Sequence, residues 1–189
     1  RQGRPVEMLH IGKPDGDAGV RAVVTCRHHC CEMMASYVLE GLVEAVLVDP
    51  VCCWIRENAE ILAIPFVDKD GVENGDQGKK RIPRDHGRDY ADASLYPETA
   101  AIRSLLPRWG GGRLRIGMDL HCPYMRGEWN EHIYQVGSAL PDRWEEQQRF
   151  GAMLKACLSG PLPYDPARNL PCGVAWNTGQ PDPAGIGFR

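Results

Sequence analysis

Residues 21–46 have the sequence RAVVTCRHHCCEMMASYVLEGLVEAV, which joins a short apolar run to a helical pattern. The run Arg21–Cys26 predicts a buried strand, because it is short and rich in β-branched residues. From Cys31 to about Val46, apolar residues recur at helical spacing among good helix formers, which predicts a helix. A strand that passes directly into a helix is typical of α/β domains.

The same alternation continues on both sides of this stretch. Apolar runs predict further strands at 6–11, 61–67, 114–120 and 131–136. Helical spacing predicts further helices at 50–58, 97–109 and 141–158. We therefore expect an α/β fold with a mixed, mostly parallel sheet flanked by helices.

Length and composition exclude several classes of protein. With 189 residues, the chain can form one domain with a sizeable core but not two full ones, so a single domain over 1–189 is expected. Hydrophobic residues at 43% and charged residues at 25% are typical of a globular protein. The net charge of −3 argues against a broad nucleic-acid surface, and no apolar run approaches the roughly 20 residues that span a bilayer.

The eight cysteines do not have the spacing of a disulfide framework. Cys30–Cys31 and Cys52–Cys53 are adjacent pairs, and sequence neighbours rarely bridge each other without strain. We therefore expect most of the thiols to be reduced and structural. The chain begins at Arg1 without a signal peptide and stops after a Pro/Gly-rich stretch, as a cropped sequence would. We expect the fold to be C-terminally incomplete, and no compartment is assigned.

Residues 68–98 interrupt the alternation of strands and helices. The stretch is rich in Asp, Gly and basic residues and has no hydrophobic period. Irregular segments longer than about 12–15 residues are uncommon in compact domains and are usually functional or disordered. We interpret 68–98 as a long functional loop, with a solvated charged loop as the alternative.

Metal-ligating side chains stand where the strand 21–26 passes into its helix. His29 and Glu32 are spaced i, i+3, so both can face one point if the first helical turn begins between them. A catalytic zinc ion takes three protein ligands of this kind and leaves a fourth position for water. His121, which follows the strand 114–120, offers the third ligand, because the carboxyl ends of strands meet at one edge of an open α/β sheet.

Other interpretations of these residues stay open. An H-x-x-E pattern occurs by chance in many proteins, and its two side chains could be satisfied polar residues without a metal. A rival metal site is offered by Cys26, Cys30 and Cys31. Two adjacent thiolates followed by a helix make a poor tetrahedral corner, so we rank that site lower. The remaining histidines that we interpret as structural are His10 and His132.

Four segments, taken in order, resemble motifs of the M14 metallocarboxypeptidases. Residues 29–37, HCCEMMASY, resemble the zinc motif in which H-x-x-E opens a helix. Residues 64–73, IPFVDKDGVE, are similar to the strand that ends in P-x-x-N-P-D-G-V, and residues 85–90, DHGRDY, to the D-x-N-R signature. Residues 119–121, DLH, match the segment that bears the last zinc ligand. The resemblance covers roughly residues 5–138 and implies a three-layer fold of the phosphorylase/hydrolase type.

The resemblance also implies an activity and a ligand set. It implies a zinc-dependent protease that removes C-terminal residues from peptides with a zinc-activated water. One zinc ion would be held by His29, Glu32 and His121. The implied substrate is a peptide or small amide with a free C-terminal carboxylate.

Further roles follow from the same resemblance. Arg88 takes the place of the arginine that binds the terminal carboxylate, a role suited to a bidentate, always-charged guanidinium. Asp85 falls where the family has a carboxylate that orients a zinc-bound histidine, here His29. The cation that polarises the scissile carbonyl is expected to be Arg81, with Lys80 or Arg84 as alternatives.

The chain departs from the family pattern at two points. The asparagine that precedes the arginine is Gly87 here, which removes one carboxylate-binding amide. The family's general base is a glutamate well downstream of the last zinc histidine, whereas no Glu follows Glu146, and the only later acids are Asp165 and Asp182. Without a carboxylate base hydrolysis loses most of its rate, so we expect the chain as it stands to be inactive.

Two alternative functions keep the same residues. An amidase or deacylase of the aspartoacylase type would use the same H-x-x-E…H set on small N-acyl amino acids. A non-catalytic protein would bind zinc and peptide without turning the peptide over. The carboxypeptidase interpretation is favoured by the helix after Glu32 and by the segment 64–73.

Overall fold

The fold is described from a computed structural model, which covers residues 2–14, 16–90, 93–122 and 126–178. The described residues up to Cys122 form one compact unit, and those from 126 to 178 form a second. Every residue of the predicted metal site belongs to the first unit. The expectation of a single peptidase domain over 1–189 stays a prediction.

The first unit is built on a four-stranded sheet with the strand order β1-β3-β2-β4. The strands are β1 (Leu9–Gly12), β2 (Val20–Cys26), β3 (Ala59–Ile64) and β4 (Leu114–Leu120). β2 pairs in parallel with β3 and with β4, whereas β1 pairs antiparallel with β3. The predicted mixed, mostly parallel sheet is therefore confirmed.

Helices cover both faces of this sheet. They are α1 (Met34–Val48), α2 (Cys53–Asn58), α3 (Lys69–Asn74) and α4 (Pro97–Gly110). Side chains alternate along a strand, so Val24 and Ala63 pack with Leu39 of α1 on one face. On the other face Val23 and Leu62 pack with Ile102 of α4. This arrangement of helix, sheet and helix is the predicted three-layer architecture.

Several predicted elements differ in extent from those observed, including the strands predicted at 6–11 and 61–67, which are found at Leu9–Gly12 and Ala59–Ile64. α1 begins at Met34 rather than Cys31, because the residues before it form turns, with Glu32 N donating to His29 O and Met33 N to Cys31 O. The segment 68–98 is not irregular throughout, since it contains α3 and a 3₁₀ turn at His86–Arg88. α3 begins where Asp68 accepts a hydrogen bond from Gly71 N, and it ends at Gly75, which has a left-handed conformation.

The second unit contains α5 (Pro141–Ala156) and two 3₁₀ turns, Glu128–Glu131 and Pro166–Arg168. The strand predicted at 131–136 is wrong. Ile133 and Val136 each form one isolated bridge, to Tyr164 and Leu170. A ladder cannot continue between those two partners, because the 3₁₀ turn lies between them.

No helix in the described parts of the chain has both the length and the apolar character needed to cross a membrane.

Candidate metal centre

Strand register places the predicted ligands at one edge of the sheet. β2 and β4 are parallel neighbours, and Cys26 is paired with Leu120 at their carboxyl ends. The residues that follow these two ends therefore emerge side by side. His29 and Glu32 lie in the turns between β2 and α1, and His121 is the first residue after β4.

The three side chains converge on one point. Nδ1 of His29 lies 3.1 Å from Oε1 of Glu32, and Nδ1 of His121 lies 2.7 Å from its Oε2. The two Nδ1 atoms are 3.2 Å apart. The three residues form a group whose ligand atoms all lie within 4.8 Å of one another. Two imidazoles and a carboxylate are the donor set of a catalytic zinc site, so the residues present fit this ion.

Carboxylates stand behind both histidines. Oδ2 of Asp119 lies 2.5 Å from Nε2 of His121, and Oδ1 of Asp85 lies 3.8 Å from Nε2 of His29. Both rings therefore present Nδ1 to the shared point and Nε2 to an acid. Asp85 was predicted in this position, whereas Asp119 was not. The sequence does indicate this role for Asp119, because residues i and i+2 at a strand end share one face and His121 is two positions further on.

A buried histidine next to the site was also missed by the sequence analysis. His28 is fully buried and contacts Asp119 through Nδ1 and the Tyr90 hydroxyl through Nε2, each at 2.7 Å. The hydroxyl of Thr25 donates to the same oxygen of Asp119 at 2.8 Å. These contacts depend on the pairing of Thr25 with Asp119 between β2 and β4, which no local pattern reveals.

Glu32 has two further partners that were not predicted. Nζ of Lys79 lies 2.5 Å from Oε1, and the backbone N–H of Cys122 donates to Oε2 at 3.1 Å. Only 3% of the Glu32 side chain is exposed, so its charge needs such partners. Lys79 lies in the segment 68–98, and the sequence distinguishes it only as one of several basic residues there.

The electrostatics of the group are strongly coupled. Burial alone would raise the pKa of Glu32, but the hydrogen bonds and charge of the neighbouring histidines hold it well below its usual range. Burial alone would lower the pKa of His121, but Asp119 and Glu32 raise it to about 10. Burial also opposes protonation of His29, whose pKa is nevertheless raised by the carboxylates of Asp85 and Glu32. The carboxylates of Glu32, Asp85 and Asp119 therefore supply the negative charge that surrounds the two imidazoles.

The predicted carboxylate-binding segment lies beside this centre. The N–H of Arg88 donates to Oδ1 of Asp85 at 3.0 Å, and the Arg88 side chain is 67% exposed. A Cβ added to Gly87 would lie 3.7 Å from Nε2 of His29, which is an ordinary contact distance. A side chain would therefore fit at position 87. The guanidinium of Arg88 is accessible to a ligand.

Arg81 has partners of its own. Its guanidinium contacts Oδ2 of Asp68 at 2.5 Å and Oδ2 of Asp76 at 3.1 Å, and it donates to Sγ of Cys30 at 3.5 Å. Of the two alternatives, Arg84 pairs with Asp89 at 3.2 Å, and Lys80 has a left-handed backbone conformation. The carbonyl-polarising role of Arg81 stays a prediction.

One of the other candidate metal groups is less suited to an ion. Asp68 and His86, which are buried, form a group with half-buried Glu98, but the permanent charge of Arg81 already faces Asp68. Among the described residues, no group of three that could hold a metal includes a cysteine. The thiols of Cys26 and Cys30 are buried, and burial raises the pKa of each to about 11.

The two histidines that were interpreted as structural have partners outside the centre. His10 lies 2.7 Å from Oε1 of Glu60, and Nε2 of His132 lies 2.7 Å from Nη1 of Arg168.

Comparison with known proteins agrees with the fold. No family model matches the chain. Human cytosolic carboxypeptidase 4 is 36% identical over 75 residues, which is 39% of this chain and 7% of that protein.

Solved structures match more of the chain. A metallo-carboxypeptidase from Pseudomonas aeruginosa, in complex with (2-guanidinoethylmercapto)succinic acid, has a TM-score of 0.63 at 23% identity. The match covers 90% of this chain and 48% of that one. A metallo-carboxypeptidase from Burkholderia cenocepacia has a TM-score of 0.61 at 25% identity. That match covers 80% of this chain and 41% of the other.

The fold is therefore that of the metallocarboxypeptidases. The predicted resemblance to this group of hydrolases is confirmed, and the chain spans less than half the length of the solved structures that it matches.

Proposed function

We propose that the chain carries the zinc centre and the carboxylate-binding segment of a metallocarboxypeptidase that acts on the C-terminal residue of peptides. The observation that carries the proposal is the convergence of His29 Nδ1, Glu32 and His121 Nδ1 within 4.8 Å at the edge of the sheet. A carboxylate lies 2.5 Å from Nε2 of His121 and another lies 3.8 Å from Nε2 of His29, and acids in this position orient a ligating ring and raise its basicity toward a metal.

The zinc ion would be held by His29, Glu32 and His121, and when bound it supplies Lewis-acid activation of water and of the scissile carbonyl. The chain's own residues provide recognition. The guanidinium of Arg88 is exposed and can form a bidentate pair with a terminal carboxylate. Asp85 accepts the backbone N–H of Arg88 and lies 3.8 Å from His29, so one side chain links the anchor to the metal group.

The test combines metal content with ligand choice. Elemental analysis should find about one zinc per chain, and His29→Ala and His121→Ala should each lose it. Calorimetric titration should show that peptides with a free C-terminal carboxylate bind more tightly than their amidated counterparts. Full zinc content in both alanine variants would eliminate this ligand set. Preference for N-acyl amino acids over peptides would instead assign the site to a deacylase.

A further inference from the structure

A hydrogen-bonded chain of three buried side chains ends on the candidate ligand His121. It runs from the hydroxyl of Tyr90 to Nε2 of His28 and from Nδ1 of His28 to Oδ1 of Asp119. The second oxygen of Asp119 then contacts Nε2 of His121 at 2.5 Å. We infer that His28 and Tyr90 are positioning residues for the metal, acting on His121 through Asp119; this inference rests on the metal site proposed above.

The contacts leave little freedom along this chain. Each ring nitrogen of His28 has a partner at 2.7 Å, so the imidazole is held on both sides. His28 is fully buried, and Tyr90 is 3% exposed. Because the Asp119 carboxylate can only accept, Nδ1–H of His28 donates to it, and Nε2 is left to accept the hydroxyl of Tyr90. Burial and nearby carboxylates raise the pKa of Tyr90, which keeps the hydroxyl protonated as a donor.

Asp119 is the point where the chain meets the metal group. Its carboxylate lies between two imidazoles, with one oxygen toward His28 and the other toward His121. The hydroxyl of Thr25 donates to the oxygen that faces His28. Fixing one oxygen fixes the plane of the carboxylate and therefore the ring that it orients. Loss of such outer partners typically lowers metal affinity by 10–100-fold.

The far end of the chain reaches the segment that carries the proposed anchor. Tyr90 follows the turn His86–Arg88 by two residues. The buried carboxylate of Asp89 accepts from Tyr96 N at 3.0 Å and from Leu95 N at 2.9 Å. The segment that presents Arg88 is thus linked to His121 by the side-chain contacts from Tyr90 through His28 and Asp119.

A purely structural role would predict a different result on mutation. A buried tyrosine and histidine that only satisfy each other would affect the free energy of unfolding and leave the metal affinity of the folded protein unchanged. A positioning role predicts a specific loss of metal affinity. The two roles are separable by measuring both quantities on the same variants.

The variants are chosen for the atoms that they remove. Tyr90→Phe deletes only the hydroxyl, and His28→Leu removes both nitrogens. His28→Asn keeps an N–H near the position of Nδ1, so it can still donate to Asp119. The matched control is Tyr96→Phe, which deletes another buried hydroxyl, one that donates to Arg84 O at 2.5 Å.

Zinc affinity is measured by competition with a chelator, and the Co²⁺-substituted protein is followed by its visible absorption spectrum. We expect a 10–100-fold loss of affinity in His28→Leu, a smaller loss in Tyr90→Phe, substantial recovery in His28→Asn and no change in Tyr96→Phe. The Co²⁺ spectrum should shift in the first two variants only.

Equal affinities in Tyr90→Phe, Tyr96→Phe, His28→Leu and wild type would overturn the inference and leave the metal site intact. Failure of the wild-type protein to bind zinc stoichiometrically would instead refute the proposed function. The two failures are therefore distinguishable in one titration series.

Discussion

Oδ2 of Asp119 lies 2.5 Å from Nε2 of His121, a residue only two positions further along the chain. The end of β4 provides the acid, and the residue that follows the strand is the candidate metal ligand that this acid orients. His29 has the corresponding arrangement with Asp85, but at 3.8 Å and from a segment distant in sequence. The two imidazoles are therefore not held equally tightly.

Asp119→Asn should weaken zinc binding by about 10–100-fold. The carboxylate accepts hydrogen bonds from both His28 and His121, whereas an amide presents N–H groups on one side and must lose at least one of these bonds. Chelator competition measures the loss. The control is Glu57→Gln, which removes one exposed carboxylate of α2. Equal affinity in the two variants would contradict an orienting role for Asp119.

Arg88→Ala should weaken binding of peptides with a free C-terminal carboxylate by about 1.5–3 kcal/mol, the scale of a hydrogen bond to a charged group. Amidated peptides should bind equally to both proteins, and Arg88→Lys should recover only part of the loss, because an ammonium lacks the planar fork. Calorimetric titration with one peptide in its two terminal forms measures this. A similar loss of affinity for the free and the amidated peptide would show that Arg88 does not bind the terminal carboxylate.

Lys79→Met should tighten zinc binding and destabilise the metal-free protein. Nζ of Lys79 lies 2.5 Å from Glu32, so its charge competes with a cation for that carboxylate. In the metal-free protein the same charge compensates a nearly buried acid, and its removal leaves Glu32 with weaker partners. Chelator competition and thermal unfolding without metal give the two quantities. Lys79→Arg, which keeps the charge, is the control, and weaker zinc binding in Lys79→Met would contradict the competition.

The fold was largely predictable from local patterns, whereas the surroundings of the ligands were not. The boundaries of β4 were predicted correctly at 114–120, where Leu, Ile and Met alternate with Arg, Gly and Asp. His29, Glu32 and His121 follow strand ends, a position that sequence can identify. Asp119 and His28 meet only because Thr25 is paired with Asp119 across β2 and β4, and this register is a property of the folded sheet.

Cys26 should determine part of the response of the protein to alkaline pH. Burial raises the pKa of its thiol from an ordinary value of 9.0 to about 11. Because the folded pKa is the higher one, the thiol's contribution to stability is complete below pH 9 and is lost as the pH rises toward 11. The free energy of unfolding should therefore fall over pH 9–11, less steeply in Cys26→Ala. At pH 8, iodoacetamide should modify exposed Cys53 and spare Cys26 in the folded protein.

Unfolding measured by denaturant titration at each pH tests this prediction. The slope with pH should differ between wild type and Cys26→Ala, whereas Cys53→Ala should behave like wild type. Equal slopes in all three proteins would contradict the contribution of Cys26.

Hydrolysis by this chain should be slow even with zinc bound. No glutamate follows Glu146, and a carboxylate that moves the proton from the attacking water to the leaving amine contributes roughly 10²–10⁴ in rate. The Asp165 carboxylate caps the start of a 3₁₀ turn, where it accepts a hydrogen bond from the N–H of Ala167 at 3.2 Å. Asp182 lies outside the described residues.

We expect zinc binding and carboxylate-dependent peptide binding to persist while turnover stays very low, and we expect Asp165→Asn to leave that turnover unchanged. Small exogenous carboxylates such as formate should raise the rate, because they can act as proton acceptors. Release of the C-terminal amino acid, followed by chromatography over many hours, measures both effects. Rapid turnover that disappears in Asp165→Asn would show that this aspartate acts as the base. Rapid turnover that persists in Asp165→Asn would show that the reaction needs no glutamate after Glu146.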